Sequence, residues 1–156
     1  MLKETITVLI ALRDVLLLLL GVFIGALASI AVWRLQLREE KRREKARMLL
    51  KAIQLAIYSG THTRNIIYSK IEGLKAVADL PENPVDELMA IIVVYFQDIY
   101  SLIKQLHLQQ QELFAYSTDS PNAATTMIGM GEKMAETITE IVKRLTKIAE
   151  KEKLTV

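Results

Sequence analysis

The sequence predicts an all-α fold in which a single N-terminal transmembrane helix continues through a basic stalk into an antiparallel three-helix bundle. Three observations predict it. Residues 15–33 run for 19 positions without a charge, a dense cluster of bases follows at once, and two proline-containing breaks divide the remainder into long stretches of helical periodicity. The domains expected are a leader and transmembrane anchor over 1–33, a basic juxtamembrane helical stalk over 34–47, and a cytoplasmic three-helix bundle over 48–156.

The uncharged run comes first. At about 1.5 Å per residue it makes a helix of roughly 28 Å, close to the hydrocarbon thickness of a bilayer. A soluble core helix is rarely apolar on every face for so long. A cleaved export signal has Ala26-Leu27-Ala28 before Ser29 in its favour, a small-x-small cleavage pattern. Against it, the leader has no net-positive start, and the apolar run continues through Ile30, Ala31, Val32 and Trp33. A retained anchor is therefore the expectation, with the Trp33 ring at the lipid–water interface.

Orientation follows from the charges. Lys3, Glu4, Arg13 and Asp14 cancel before the anchor. After it, Arg34, Arg38, Lys41, Arg42, Arg43, Lys45 and Arg47 face three acids, a net of +4, whereas residues 48–156 carry a net of −2. Bases just after the segment favour the N-terminus outside and the C-terminal part in the cytoplasm. Trp33 and the seven bases are then expected at the lipid headgroups, where each base contributes about 1 kcal/mol near an anionic surface. The bland alternative is a solvated helix extension that only fixes topology. A nucleic-acid partner is not expected, because no aromatic residue is interleaved with these bases.

Within the anchor, Gly21, Gly25 and Ser29 recur every four residues, and steps of seven join Asp14, Gly21 and Ala28. Small residues on one face let two backbones approach closely in lipid. This predicts helix association there, with Arg13 of one chain beside Asp14 of another. The same spacing also arises by chance, with Arg13 and Asp14 simply wet at the interface.

Beyond residue 47, Pro81 and Pro84 mark one break and Pro121 a second. Asn83 and Ser120 suit N-caps, Pro84 and Pro121 suit first helical positions, and Asp86 and Glu87 suit the first turn. Three helices are expected, over 34–79, 84–116 and 121–152. The third has the cleanest seam, Met127, Gly131, Met134, Ile138, Ile141, Leu145 and Ile148, in alternating steps of four and three. Its acids precede its bases, an order that suits the helix dipole and allows a Glu140–Arg144 pair.

The second helix has two apolar seams. One follows Val85, Leu88, Ile92, Tyr95, Ile99, Leu102 and Leu106; the other, one residue round, follows Met89, Val93, Phe96, Tyr100 and Ile103. Such width implies either a central helix sandwiched between the other two or a surplus face for a partner, and Met89, Val93, Phe96, Tyr100 and Ile103 are the candidate partner interface.

The first helix carries a polar interruption, residues 59–65, between turns bearing Ile53, Ile57, Ile67, Ile71 and Leu74. For tight antiparallel turns, facing residue numbers sum to about 163 across the first break and about 238 across the second. Arg64 then falls level with Asp98, and Asp98 with Glu140. The expectation is a mid-bundle polar layer of Arg64, Asp98 and Glu140 with His62 nearby, acting as a register-fixing ion pair rather than as a catalytic or ligand site.

No cofactor and no enzymatic activity are expected. The chain has no cysteine, two histidines and no phosphate-cradling loop, serine triad or zinc-helix motif. Gly129-Met130-Gly131 lacks both the preceding strand and the lysine of a phosphate loop. Met127, Met130 and Met134 with His107 are soft enough together for copper(I), but methionines at seam positions are more often core filler.

The function expected is a non-enzymatic single-pass membrane scaffold or accessory subunit. Its partners would be the bilayer, together with a protein partner or a second copy engaged through the transmembrane and bundle helices. Two other classes compete: a membrane-perturbing effector of the phage lysis or exclusion type, and a metal-binding helical module.

Overall fold

The computed structural model describes residues 2–72, 83–119 and 121–153, with side chains described at Leu17 and from residue 19 onward in those segments. The described residues are helical and include no strand. Four helices follow in order: α1 (Leu2–Ile71), α2 (Pro84–Tyr95), α3 (Tyr100–Ala115) and α4 (Ala123–Lys151), with a 3-10 turn at Gln97–Ile99 between α2 and α3. The chain divides into two units, Met1–Arg42 and Arg43–Val156.

The first unit is the N-terminal part of α1. Its described residues include no proline, and its large apolar side chains, from Leu17 through Phe23, Ile24 and Leu27 to Leu37, are all exposed. By length and composition, α1 is the one helix among the described residues able to cross a membrane.

The second unit is built from the remainder of α1 with α2, α3 and α4, and all four helices contribute to one core that includes Leu49, Leu88, Ile103 and Ile141. Local chemistry sets the start of α2 as expected. The Asn83 side chain accepts the Val85 N–H at 3.1 Å, Pro84 opens the helix, and Asp86 and Glu87 lie against its positive end. The expected continuation of the first helix to residue 79 and the Ser120 cap fall outside the described residues.

Two expectations are corrected here. The helix expected over 84–116 is not continuous, so three helices become four. At Phe96 the backbone leaves the helical region (φ −140, ψ 51); its N–H still donates to the Ile92 carbonyl at 2.9 Å, and the Gln97 side-chain amide donates to the Val93 carbonyl at 3.2 Å. These bonds satisfy last-turn carbonyls that a helix end leaves open. The chain then doubles back, bringing His107 Nδ1 of α3 to 3.5 Å from the Asp86 carboxylate of α2. The wide apolar stripe is the physical reason: folding in two lets Ile92, Phe96, Ile99 and Ile103 all be buried.

The second correction is to register. Lys51 pairs with Glu87, and the Tyr95 hydroxyl donates to Glu44 at 2.6 Å, so α1 and α2 are antiparallel with facing numbers that sum to about 138 rather than 163. A tight turn about the first break does not give this register. It sets the start of α2 against the middle of the second unit's α1 segment, instead of against the end of that helix.

α1 and α4 are also antiparallel. Lys45 meets Glu152 at 2.7 Å, Gly60 lies beside Ile138, and Gly131 beside Ile67, all consistent with a sum of about 198. The seam expected on α4 faces the core, with Met127, Met134, Ile138, Ile141 and Leu145 buried.

The two glycines near the start of α4 differ in a way that yields a test. A Cβ on Gly131 would sit 2.6 Å from Ile67 Cδ1, whereas one on Gly129 would meet nothing within 4 Å. Gly129→Ala is expected to stabilise the chain by about 0.5–1 kcal/mol through helix propensity. Gly131→Val is expected to cost about 1–3 kcal/mol through overpacking. Denaturant unfolding of both variants in detergent, followed by helical circular dichroism, checks the opposite signs.

Candidate functional site

The small-residue face of α1 over residues 21–29 is open. Gly21, Gly25, Ala28 and Ser29 are exposed, and a Cβ at either glycine would meet nothing within 4 Å. Ser29 Oγ donates to the Gly25 carbonyl at 2.9 Å, so its polar atom is satisfied within its own helix and presents little obstacle to an approaching backbone. The Asp14 side chain lies outside the described residues.

The basic stretch is largely exposed: Trp33, Arg34, Arg38, Lys41, Arg42, Arg43 and Arg47 all present their side chains to solvent. Lys45 is different. Its ammonium bridges to Glu152 and lies 5.9 Å from the centre of the Phe96 ring, so it tethers α1 to α4 and to the α2–α3 corner.

The candidate partner interface on the second helix is divided by the hairpin. Phe96 and Ile103 are corrected to core residues, and Met89 packs against that core. Val93 and Tyr100 remain exposed, joined by Val94, which is 67% exposed. The reversal at Phe96 is the cause, since it turns the two halves of the seam toward one another.

The expected polar layer forms with different members. Arg64 is exposed on a groove between α1 and α4, whereas Asp98 and Glu140 together line a separate depression with Lys143, Arg144 and Lys147. The structure therefore brings Asp98 to Glu140 but not Arg64 to either, because the shift of α2 against α1 removes the level on which Arg64 and Asp98 were to meet. His62 is only 3% exposed, and Ser59, Thr63 and Thr137 are buried as well. The α1–α4 register sets these four within about one helical turn of one another, a layer of hydroxyls and an imidazole in place of the expected ion pair. Ser59 and Thr137 donate to the carbonyls of Leu55 and Lys133, four residues back, while both His62 ring nitrogens and the Thr63 hydroxyl have no hydrogen-bond partner among the described residues.

Sequence reasoning missed the α1–α4 groove. It measures about 560 Å³ and is lined by Ile57, Gly60, Tyr68, Ile128, Gly131 and Glu132 as well as Arg64. Its signal was present as Gly60 and Gly131, whose places along one groove, about two turns apart, needed the true register to be seen. Of the soft donors considered for copper, Met127 and Met134 are sealed in the core, Met130 packs against it, and His107 contacts Gln111 at 2.8 Å as well as Asp86.

Two titrating groups respond to these contacts. The Arg144 guanidinium, hydrogen-bonded to Glu140 at 2.8 Å, holds that carboxyl below the usual glutamate range against a smaller opposing effect of burial. The Tyr95 hydroxyl is pushed above the ordinary tyrosine value, chiefly by its hydrogen bond to Glu44, then by desolvation and the negative charge of Glu44. A raised folded-state value means that the bond stabilises the fold below the pKa of free tyrosine and is lost as pH climbs through the value of Tyr95 itself. The ultraviolet phenolate difference titration of wild type against Tyr95→Phe is expected to give a midpoint above that of free tyrosine. Glu44→Gln should lower it.

No protein-family model, curated protein or solved structure matches this chain, so the functional reading stands on its own residues.

Proposed function

We propose that this chain is a non-enzymatic single-pass membrane scaffold or accessory subunit, with its N-terminus outside and its C-terminal helical bundle in the cytoplasm. One observation carries the reading: the large apolar side chains described between residues 17 and 37 are exposed, from 37% to 64%, a state that water penalises and lipid rewards. Each central Leu, Ile, Phe or Val favours insertion by about 0.3–0.6 kcal/mol, and no charge costing about 2.5–3.5 kcal/mol interrupts residues 15–33. The exposed Arg34, Arg38, Lys41, Arg42, Arg43 and Arg47 support contact with anionic headgroups and the inward orientation.

In this reading the Gly21, Gly25 and Ser29 face, with Asp14 and Ala28 in phase, associates anchors in the bilayer. The exposed Val93, Val94 and Tyr100 at the hairpin corner serve a soluble partner.

Alkaline carbonate washing of membranes containing the full-length chain is expected to leave it in the pellet, with intact mass corresponding to a start before Ser29. Release into the supernatant, or mature material beginning at Ser29, removes the anchor. Collapse of the membrane potential on induced expression would replace the scaffold with a membrane-perturbing effector.

A further inference from the structure

We propose that the outward face of α1 over residues 50–71, together with the adjoining edge of α4, docks a second copy of this chain in parallel, Arg64 of each copy meeting Glu132 of the other. The proposal deepens the assembly role above by naming a surface outside the anchor, and it stands on the second unit alone.

The evidence starts from periodicity. From Leu50, alternating steps of four and three reach Ile57, Arg64, Tyr68 and Ile71, and every position on this path is exposed, Ile57 and Tyr68 by 58% each. A seam with a mean spacing of 3.5 residues is what two helices need to interlock side chains along their length. The stripe one residue round, which includes Leu49, Ala56, Thr63 and Ile67, already faces the chain's own core. The outward path also includes Gln54 and Thr61, so α1 carries beside its covered stripe a second, mixed one whose apolar members are Leu50, Ile57, Tyr68 and Ile71. The groove beside the seam continues the rhythm on α4, where Ile128, Glu132 and Ala135 follow the same steps.

Charge selects the occupant. Arg64 and Glu132 both line the groove, and neither has an ion-pair partner among the described residues. The α1–α4 register sets Glu132 level with residue 66 of its own chain, roughly 3 Å along the axis from Arg64. In a parallel two-fold pair, the same offset brings Arg64 of one copy level with Glu132 of the other, twice over. An antiparallel pair centred on the seam leaves them about 12 Å apart along the axis. Each copy supplies both the base and the acid, so the surface is complementary to itself, as a two-fold interface requires. The acid also offsets the repulsion of two Arg64 side chains facing one another across the seam.

The absence of native cysteine makes the test direct. Single cysteines are placed in the full chain at Ile57 and Tyr68 on the seam and at Ser101 and Glu112, exposed on α3, and membranes are oxidised. Disulfide-linked dimer at positions 57 and 68 is expected to exceed that at 101 and 112 at least fivefold. Adding Arg64→Glu or Glu132→Arg to Ile57→Cys should cut the yield at least threefold. Co-expressing these two variants under different tags should restore the mixed dimer, a rescue that pairing within one chain cannot produce. Equal yields at all four positions, or no rescue in the mixture, overturns the proposal. In a Gly25→Leu background the seam cross-link should persist; its loss there shows association through the anchor alone and overturns docking by this face. Failure of the anchor itself is read separately from the carbonate wash.

Discussion

The α1–α4 packing seats an isoleucine of each helix against a glycine of the other. A Cβ at Gly131 would lie 2.6 Å from Ile67 Cδ1, so that side-chain end would have to turn away, and one at Gly60 would be in ordinary van der Waals contact with Ile138. Each glycine faces an isoleucine of the other helix, about two turns apart along the pair, and this matching of small to large fixes register, because sliding by one turn would set both isoleucines against other side chains. That register then determines much else in the second unit. It sets Lys45 against Glu152 at one end, Ser59, His62 and Thr63 within about a turn of Thr137 in the middle, and the groove between the two helices. The α2–α3 hairpin supplies the rest of the core.

What could be read from the sequence follows the distinction between local and non-local information. α4 was legible almost residue by residue, since its seam has a single period and its one face meets a single core. The α2 start was legible because capping is local chemistry. The reversal at Phe96 was not: Tyr95-Phe96-Gln97-Asp98 has neither proline nor glycine, and its only trace was the breadth of the apolar stripe, which a sandwiched helix explains equally well. The members of the polar layer were misassigned for a related reason. A constant-sum rule assumes a tight turn, and the α1–α2 register departs from that assumption by some seven helical turns' worth of numbering while the α3–α4 pairing, joined by a short link, still brings Asp98 and Glu140 together. Of the isoleucines that flank the polar interruption of α1, Ile67 is in the core, but Ile57 and Ile71 face outward. Their spacing fits either of two adjacent stripes, and sequence periodicity alone does not say which is covered.

The distribution of polar groups shows which forces choose the fold and which are left for other uses. The mid-height layer holds an imidazole and hydroxyls, two of which, on Ser59 and Thr137, bond to their own helix, and not an ion pair. Burying two opposite charges requires nearly ideal geometry to offset desolvation, whereas a serine or threonine that returns its hydrogen bond four residues back satisfies itself on any neighbour. An unpartnered buried polar group costs about 1–3 kcal/mol, a tolerable burden for a core fed by four helices. Such a layer tolerates the register without dictating it, so shape at the glycines has to do the dictating. The peripheral ion pairs Lys45–Glu152, Lys51–Glu87 and Glu140–Arg144 are all partly or well exposed, where such pairs contribute about 0–1 kcal/mol each. Charge is therefore nearly dispensable to the interior of this protein. Its strongest concentration, the bases of residues 34–47, and its open pair on the α1–α4 groove lie where internal stability has little need of them, and where lipid headgroups or another helix can meet them.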